Sequence, residues 1–258
     1  MSSIIAKIEN NVSWLTLNRP EKRNSVNREL ALALQHHLDV AMSTESIRAV
    51  YITGEGKAFC AGQDLGEATD LDAPELRAIV HGHYNPIIER LRNIEKPVVA
   101  AVNGVAAGAG ANIALACDVV VAKESASFIQ AFSKIGLVPD SGGTYFLPRL
   151  VGFQKASALM MLGDKVSAQE AERMGMIYKY FADDVFEEES KKIALQLAAL
   201  PTKALGLTKL ALNESLYHNL AQQLQTEEDY QDMAGKTDDF AEGLAAFLAK
   251  RPAVFEGK

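Results

Sequence analysis

The fold is decided by residues 96–124, KPVVAAVNGVAAGAGANIALACDVVVAKE. An apolar run at 96–104 is followed by a turn rich in Gly and Ala, a helical segment and a second apolar run at 118–124. Nearly continuous Val and Ala are typical of strands that are buried on both faces. A strand, a helix and a strand in succession form a parallel crossover. The stretch therefore predicts an α/β fold with a largely parallel sheet.

The first ~160 residues repeat this alternation of strand and helix. Apolar β-rich runs at 12–18 and 47–54 predict two more strands, and we expect no hairpin between the strands. Two helices are predicted by apolar residues at helical spacing: Leu30, Leu34 and Leu38, then Ile79, Ile87, Ile88 and Leu91.

The last hundred residues have a different pattern. Strand signals vanish after about Gln154, and a capping box from Ser167 to Glu170 begins a series of helical segments. We therefore expect a core over residues 1–195 and a helical region over 196–258, which packs on the core or on a neighbouring subunit.

Composition and charge exclude several classes of function. A net charge of −7 without a basic block argues against a nucleic-acid partner. No apolar run approaches the ~18 residues of a membrane span, and residues 1–11 lack the pattern of a signal peptide. We expect a cytoplasmic protein with no membrane partner, in which Cys60 and Cys117 are reduced core residues.

Two turns of small residues expose backbone N–H groups. Gly108 and Gly110 do not form a dinucleotide-binding fingerprint, because Ile113 stands where the third glycine is required. The first N–H groups of the following helix could hold an anion or an oxyanion, but a tight helix–sheet packing turn explains the glycines equally well. The turn within 57–65 is either a plain loop or a second donor near Gln63, and two convergent donors make an oxyanion hole.

Four segments, in their order and spacing, resemble the crotonase superfamily, the enoyl-CoA hydratase/isomerase proteins. They are RPEKRNSV (19–26), KAFCAGQDL (57–65), NGVAAGAGANIALACD (103–118) and GLVPDSGGTYFLPRLVG (136–152). The resemblance covers essentially the whole chain and implies a spiral of ββα turns. It also implies an acyl-CoA thioester substrate and a homotrimer or a dimer of trimers, in which the helical C-terminal region makes oligomer contacts.

The resemblance also assigns site residues. The thioester oxygen would be held by the backbone N–H groups of Gln63 and Ala109. The acyl pocket would be lined by Asn112, Phe132 and Tyr145. The CoA moiety would contact Arg23, Ala61, Asp64 and Leu65, with Lys250 reaching the nucleotide end from an adjacent subunit. No metal is implied, and no cofactor is implied because coenzyme A is part of the substrate.

The departures from the family pattern are informative. Hydratases of the superfamily use two glutamates, and the corresponding positions here are Asn112 and Phe132. Neither side chain can act as a base, whereas adding water to a double bond needs both a base and an acid.

One carboxylate, Asp140, stands alone within GLVPDSGGTYFLPR (136–149). From the residues alone, a helix cap that bonds the N–H groups of Gly142 and Gly143 is the better interpretation. The resemblance favours catalysis, because a dienoyl-CoA isomerase and a dehalogenase of the superfamily place a working aspartate here. We expect apolar neighbours to raise its pKa and so favour reversible proton transfer. These neighbours are Leu137, Val138, Tyr145 and Phe146.

The resemblance thus implies an acyl-CoA isomerase with Asp140 as the proton shuttle. The reaction expected is the conversion of 2-(1,2-epoxy-1,2-dihydrophenyl)acetyl-CoA to an oxepin-CoA in phenylacetate catabolism, a shift of a β,γ double bond to the α,β position, or both. Three alternatives stay open: an enoyl-CoA hydratase of the same superfamily, an RNA-binding crotonase homologue and a member with an inactive site. The acidic net charge weighs against the RNA-binding alternative.

Overall fold

The computed structural model describes residues 2–68 and 75–258. Within these ranges the strands are β1 (Ile4–Glu9), β2 (Val12–Leu17), β3 (Ala49–Gly54), β4 (Ala58–Cys60), β5 (Val98–Val102), β6 (Val105–Ala107), β7 (Val119–Lys123), β8 (Ser127–Ile129), β9 (Lys165–Ser167) and β10 (Lys179–Phe181). The helices are α1 (Arg28–Ser43), α2 (Leu65–Ala68), α3 (Leu76–Ile79), α4 (Asn85–Asn93), α5 (Ala109–Leu115), α6 (Gly143–Val151), α7 (Phe153–Leu162), α8 (Ala168–Arg173), α9 (Phe186–Ala199), α10 (Thr202–Glu214), α11 (Leu220–Ala234) and α12 (Asp238–Leu248).

The strands of the described ranges form a larger and a smaller sheet. The larger sheet has the order β1-β2-β3-β5-β7-β10, and the smaller has the order β4-β6-β8-β9. β3 and β4, β5 and β6, and β7 and β8 are consecutive pairs, and in each pair the first strand lies in the larger sheet and the second in the smaller. Most pairings are parallel. The repeat of two strands and a helical segment is the predicted spiral of ββα turns, so the predicted fold class is confirmed.

Side chains of the central strands alternate between two apolar clusters. Val50 and Ile52 lie in the cluster that joins both sheets to α1 and α4, whereas Ala49 and Tyr51 lie in the cluster on the outer face, which α9 covers. Successive residues of a strand point to opposite faces, so both faces of β3 are buried. This double burial explains why the central strands read as nearly continuous apolar runs.

The prediction of no hairpin is wrong at the N-terminus. β1 and β2 pair antiparallel, and Glu9 lies opposite Val12 across a two-residue turn. The turn residues Asn10 and Asn11 both have positive φ, 52° and 61°. Asn is among the few non-glycine residues that adopt this conformation at modest cost, and two such residues form the tight turn of a hairpin.

The prediction that strands end near Gln154 is also wrong. β9 pairs antiparallel with β8, and β10 pairs parallel with β7. Each has only three residues, which is too short for a visible alternation in the sequence. The predicted capping box is half formed: the Ser167 side chain accepts from the Glu170 N–H, while the Glu170 carboxylate binds Arg173.

The helix predicted from Ile79 to Leu91 is interrupted. A π-helical segment, Val80–Tyr84, separates α3 from α4 and buries His83 and Tyr84. π-Helical segments within α-helices are frequent at functional sites. Of the four apolar residues that predicted this helix, Ile79, Ile87 and Leu91 are buried and Ile88 is partly buried.

The C-terminal part of the described chain is helical, from α9 to α12. The predicted domain boundary at residue 195 lies inside α9. Apolar side chains of α12 are left exposed; Phe247 and Leu248 are 80% and 73% accessible. Within the described ranges, no helix is both long and apolar enough to cross a membrane.

Candidate active site

Two glycine-containing turns lie against each other where β4 ends and α5 begins. A Cβ on Gly110 would lie 2.3 Å from the carbonyl oxygen of Cys60, and a Cβ on Gly62 would lie 2.9 Å from that of Ala107 and 3.6 Å from the Ala109 nitrogen. Side chains larger than hydrogen would force the two segments apart. The packing interpretation is therefore correct for Gly110, whereas Gly108 makes only ordinary contacts and is favoured instead by its φ of 52°. The close approach of the two segments brings the predicted donors Gln63 and Ala109 near each other.

The backbone geometry sets the direction of both donors. Val26 and Gln63 form an isolated parallel bridge, in which the Val26 N–H donates to Gly62 O at 2.7 Å and the Asp64 N–H donates to Val26 O at 2.9 Å. In this pattern the N–H of the middle residue, Gln63, points away from Val26. Ala109 is the first residue of α5, and the first N–H groups of a helix have no partner inside it.

The side chain of Asn112 connects α5 to the Asp140 segment. Its Nδ2 donates to the main-chain oxygen of Asp140 at 2.8 Å, and its Oδ1 accepts from Gln130 Nε2 at 2.8 Å. A Cβ on Gly143 would lie 2.3 Å from the same Nδ2, so the amide is tightly enclosed. Asn112 is 1% exposed. Asn112 is thus a neutral side chain that holds the Asp140 segment against α5.

Asp140 carries the carboxylate of the segment that Asn112 holds. Burial raises its pKa, and the Ser141 hydroxyl, which donates to its Oδ1 at 2.9 Å, offsets part of that effect. The raised pKa confirms the predicted direction. Two of the four predicted apolar neighbours, Leu137 and Val138, are themselves exposed, at 40% and 79%.

The capping interpretation of Asp140 is wrong. It is the main-chain oxygen of Asp140, and not the carboxylate, that accepts from the Gly143 N–H, at 2.9 Å. Among the described residues no side chain caps α6, whose N-cap is Gly142 in the left-handed conformation with φ 72°. The carboxylate is thus not committed to the helix terminus.

Phe132 and Tyr145 are the other predicted pocket residues. Phe132 is buried, and its ring lies 3.8 Å from the position of a Cβ on Gly108, so an apolar edge borders the Ala109 turn. Tyr145 stacks on Tyr217 with ring centroids 6.0 Å apart. Both tyrosines line a cavity of about 420 Å³ between α4, α6 and the end of α10. Gly142, two positions after Asp140 in the sequence, also lines this cavity, whereas Asp140, Gln63 and Ala109 do not.

The predicted CoA-binding residues fall into two groups. Ala61 donates its N–H to the carbonyl of Arg23 at 3.0 Å, and Asp64 and the exposed Leu65 follow the same turn. The structure thus brings these four residues together beside Gln63. Lys250 lies in a turn just after α12, and its predicted contact with CoA on another subunit stays a prediction.

Two polar residues near the site were not identified from the sequence. Arg19 forms a largely buried ion pair with Asp64 at 2.7 Å, and Gln130 holds Asn112. Burial alone would raise the pKa of Asp64, but hydrogen bonding and the Arg19 charge outweigh it and lower that pKa. Arg19 opens the segment RPEKRNSV, so its place in a recognised motif is the signal that could have pointed to it.

Comparison with known proteins places the chain among acyl-CoA enzymes. The family model for enoyl-CoA hydratase/isomerase matches residues 7–258. The chain is 45% identical to the 1,2-epoxyphenylacetyl-CoA isomerase of Escherichia coli (strain K12) over 262 residues, covering 100% of both proteins. It is 37% identical to the 2,3-dehydroadipyl-CoA hydratase of the same organism, again over 100% of both. A solved enoyl-CoA hydratase from Bacillus anthracis matches with a TM-score of 0.93 at 34% identity, covering 99% of this chain and 100% of the other. The matched range contains every site residue described above.

Proposed function

This chain belongs to the enoyl-CoA hydratase/isomerase family, and on that premise we propose that it is a CoA-thioester isomerase in which Asp140 carries the proton. The proposal rests on the residues that occupy the three positions where a proton carrier is expected. Asp140 has a raised pKa and a carboxylate that is not used as a cap, while the two positions where hydratases place glutamates hold a hydrogen-bonded amide and a phenyl ring.

This arrangement suits isomerisation better than hydration. Hydration needs one group to activate water and another to protonate the adjacent carbon. Asn112 cannot accept a proton, and both ends of its amide are already engaged. A single carboxylate is enough to take a proton from one carbon and return it to another.

The proposed mechanism uses both turns. The N–H groups of Gln63 and Ala109 bind the thioester oxygen and stabilise the negative charge that develops there when the α-carbon loses a proton. Asp140 takes that proton and becomes neutral, and then returns it to the γ-carbon as the double bond moves into conjugation. No atom is gained or lost, and Asp140 ends as the carboxylate from which it began.

For the acyl group, we propose 2-(1,2-epoxy-1,2-dihydrophenyl)acetyl-CoA. The ring carbon–carbon bond under its epoxide opens to give the seven-membered oxepin, and Asp140 moves a proton from the α-carbon to the ring, so every atom is conserved. The 45% identity to the Escherichia coli 1,2-epoxyphenylacetyl-CoA isomerase over its whole length supports this choice. The stacked rings of Tyr145 and Tyr217, in a cavity that Gly142 also lines, offer an aromatic surface to a ring-bearing acyl chain.

A panel of acyl-CoA thioesters tests the proposed function. We expect turnover of the ring epoxide and of β,γ-enoyl-CoA, with products of unchanged mass, because both reactions are isomerisations in which no atom is gained or lost. We expect at most trace hydration of crotonyl-CoA, seen by mass spectrometry as a gain of one water. The 37% identity to a hydratase makes hydration the second candidate. Efficient hydration without isomerisation contradicts the proposal.

We also propose that the chain assembles as a homotrimer or a dimer of trimers through its C-terminal helices. The exposed Phe247 and Leu248 of α12 are apolar surface that a second subunit would cover. We expect Phe247→Asp to yield monomers in size-exclusion chromatography with light scattering. Phe153→Asp, on the equally exposed Phe153 of α7, is the matched control and should keep the native size. An unchanged mass for Phe247→Asp refutes this interface.

A further inference from the structure

The Arg19 side chain holds both sides of the bridge that carries Gln63. One terminal nitrogen, Nη2, donates to Asp64 Oδ2 at 2.7 Å, and the other, Nη1, donates to Ser25 O at 2.6 Å. Asp64 directly follows Gln63, and Ser25 directly precedes Val26, the bridge partner of Gln63. The guanidinium therefore ties the two bridged segments together next to the proposed donor.

The backbone of Arg19 is itself anchored to the segment that leads into the same turn. Its N–H donates to Asn24 Oδ1 at 2.8 Å, and Asn24 Nδ2 donates to Ala58 O at 2.8 Å. Asn24 is completely buried. Ala58 begins β4, and β4 ends at the turn that contains Gln63. The contacts thus form a closed loop from β4 through Asn24, Arg19 and Asp64 back to the turn.

Burial makes this loop stiff. The side chains of Arg19 and Asp64 are 16% and 11% exposed. Asp64 Oδ1 also accepts from the Gly66 N–H at 3.0 Å, so both carboxylate oxygens are engaged. An ion pair of this kind costs desolvation and gives little net stability, but it fixes geometry.

From these contacts we infer that Arg19 is a positioning residue, which fixes the Gln63 N–H for the thioester oxygen through Asp64 and the Val26 bridge. The inference rests on the proposed role of Gln63 as an oxyanion donor. A displacement of about 1 Å in such a donor costs about 10²-fold in rate. Arg19 itself touches no reacting atom.

The test uses 4-(dimethylamino)cinnamoyl-CoA, whose absorption moves to longer wavelength when hydrogen bonds polarise its thioester carbonyl. With Arg19→Met we expect bound probe to show a smaller red shift than with the wild type. We also expect kcat for β,γ-enoyl-CoA isomerisation to fall about 10- to 100-fold, with KM changed only a few fold. Arg19→Lys keeps the charge, but its single ammonium group cannot replace the two guanidinium nitrogens that bind Ser25 and Asp64. Its red shift and kcat should therefore lie between those of Arg19→Met and the wild type.

The double variant Arg19→Met/Asp64→Ala covers the case in which Arg19→Met fails to fold. Removing both partners avoids an uncompensated buried charge, so this protein should be the more stable of the two and still show the reduced red shift. Arg48→Met is the matched control. It removes an arginine that makes three hydrogen bonds elsewhere, to Thr202, Leu200 and Phe255, and it should keep the full red shift and kcat.

The outcomes separate this inference from the proposed function. If a folded double variant shows the wild-type red shift and kcat, Arg19 does not position the donor. If the red shift falls in the double variant while Asp140→Asn leaves turnover unchanged, the positioning role stands and the proposed proton carrier is wrong.

Discussion

Asp140→Asn is expected to lower isomerisation by about 10²–10⁴-fold, the usual cost of losing a general base. The substitution keeps the volume of the side chain and removes its ability to accept a proton. The contacts that hold this segment, from Asn112 Nδ2 and the Gly143 N–H, end on the main-chain oxygen of Asp140. They survive the change, so folding and acyl-CoA binding should be preserved.

Solvent exchange gives a second readout for the same variant. In D₂O the wild-type enzyme should introduce deuterium into a substrate with acidic α-protons, and Asp140→Asn should not. Asp39→Asn is the matched control, because Asp39 pairs with Arg90 on the surface. A folded Asp140→Asn protein that binds acyl-CoA and exchanges deuterium at the wild-type rate eliminates Asp140 as the base.

The raised pKa of Asp140 also predicts how the kcat and the stability of the wild-type protein depend on pH. Catalysis needs the carboxylate, so kcat should fall as the pH drops through the raised pKa, above the range of an ordinary aspartate. The contribution of Asp140 to stability changes with pH in the opposite direction to kcat. Because the folded pKa exceeds the unfolded one, ionisation of Asp140 costs stability at neutral pH, and protonation restores it in acid. Asp140→Asn should therefore be at least as stable as the wild type at neutral pH.

The sequence predicts the centre of the fold better than its periphery. β3 and β5 are buried on both faces, and burial of this kind leaves an unmistakable apolar run. β9 is only three residues long and is defined by its pairing with β8, which local sequence does not encode. The Asn10–Asn11 turn does carry a signal in its residue types, because two consecutive Asn residues favour positive φ and so a tight hairpin turn. The alternation of strands and helices in the rest of the core led us to expect no hairpin.

In the site, small residues were more informative than polar ones. Gly62 and Gly110 lie where two backbone segments approach closely, and this close approach determines where the proposed donors Gln63 and Ala109 lie. The polar connections join residues far apart in the chain: Arg19 and Asp64 are separated by 45 positions, and Asn112 and Asp140 by 28. Periodicity cannot reveal such pairs. Asn112 shows the consequence: the resemblance assigns it to the acyl pocket, and only its contacts reveal that it also holds the segment that carries Asp140.

Ala109→Pro is expected to lower turnover by about 10²–10³-fold, because proline lacks the N–H that we assign to the thioester oxygen. The fold should tolerate the change. Ala109 is the first residue of α5, a position that proline favours, and the preceding Gly108 has φ 52° and ψ −128°, outside the α region that proline forbids to its predecessor. Ala109→Gly keeps the N–H and should stay within a few fold of the wild type. Circular dichroism must first show an intact fold, and bound 4-(dimethylamino)cinnamoyl-CoA should then lose much of its red shift in the proline variant alone. Since Asp140 is untouched, a folded proline variant with wild-type turnover and red shift excludes Ala109 as a donor, whatever the base.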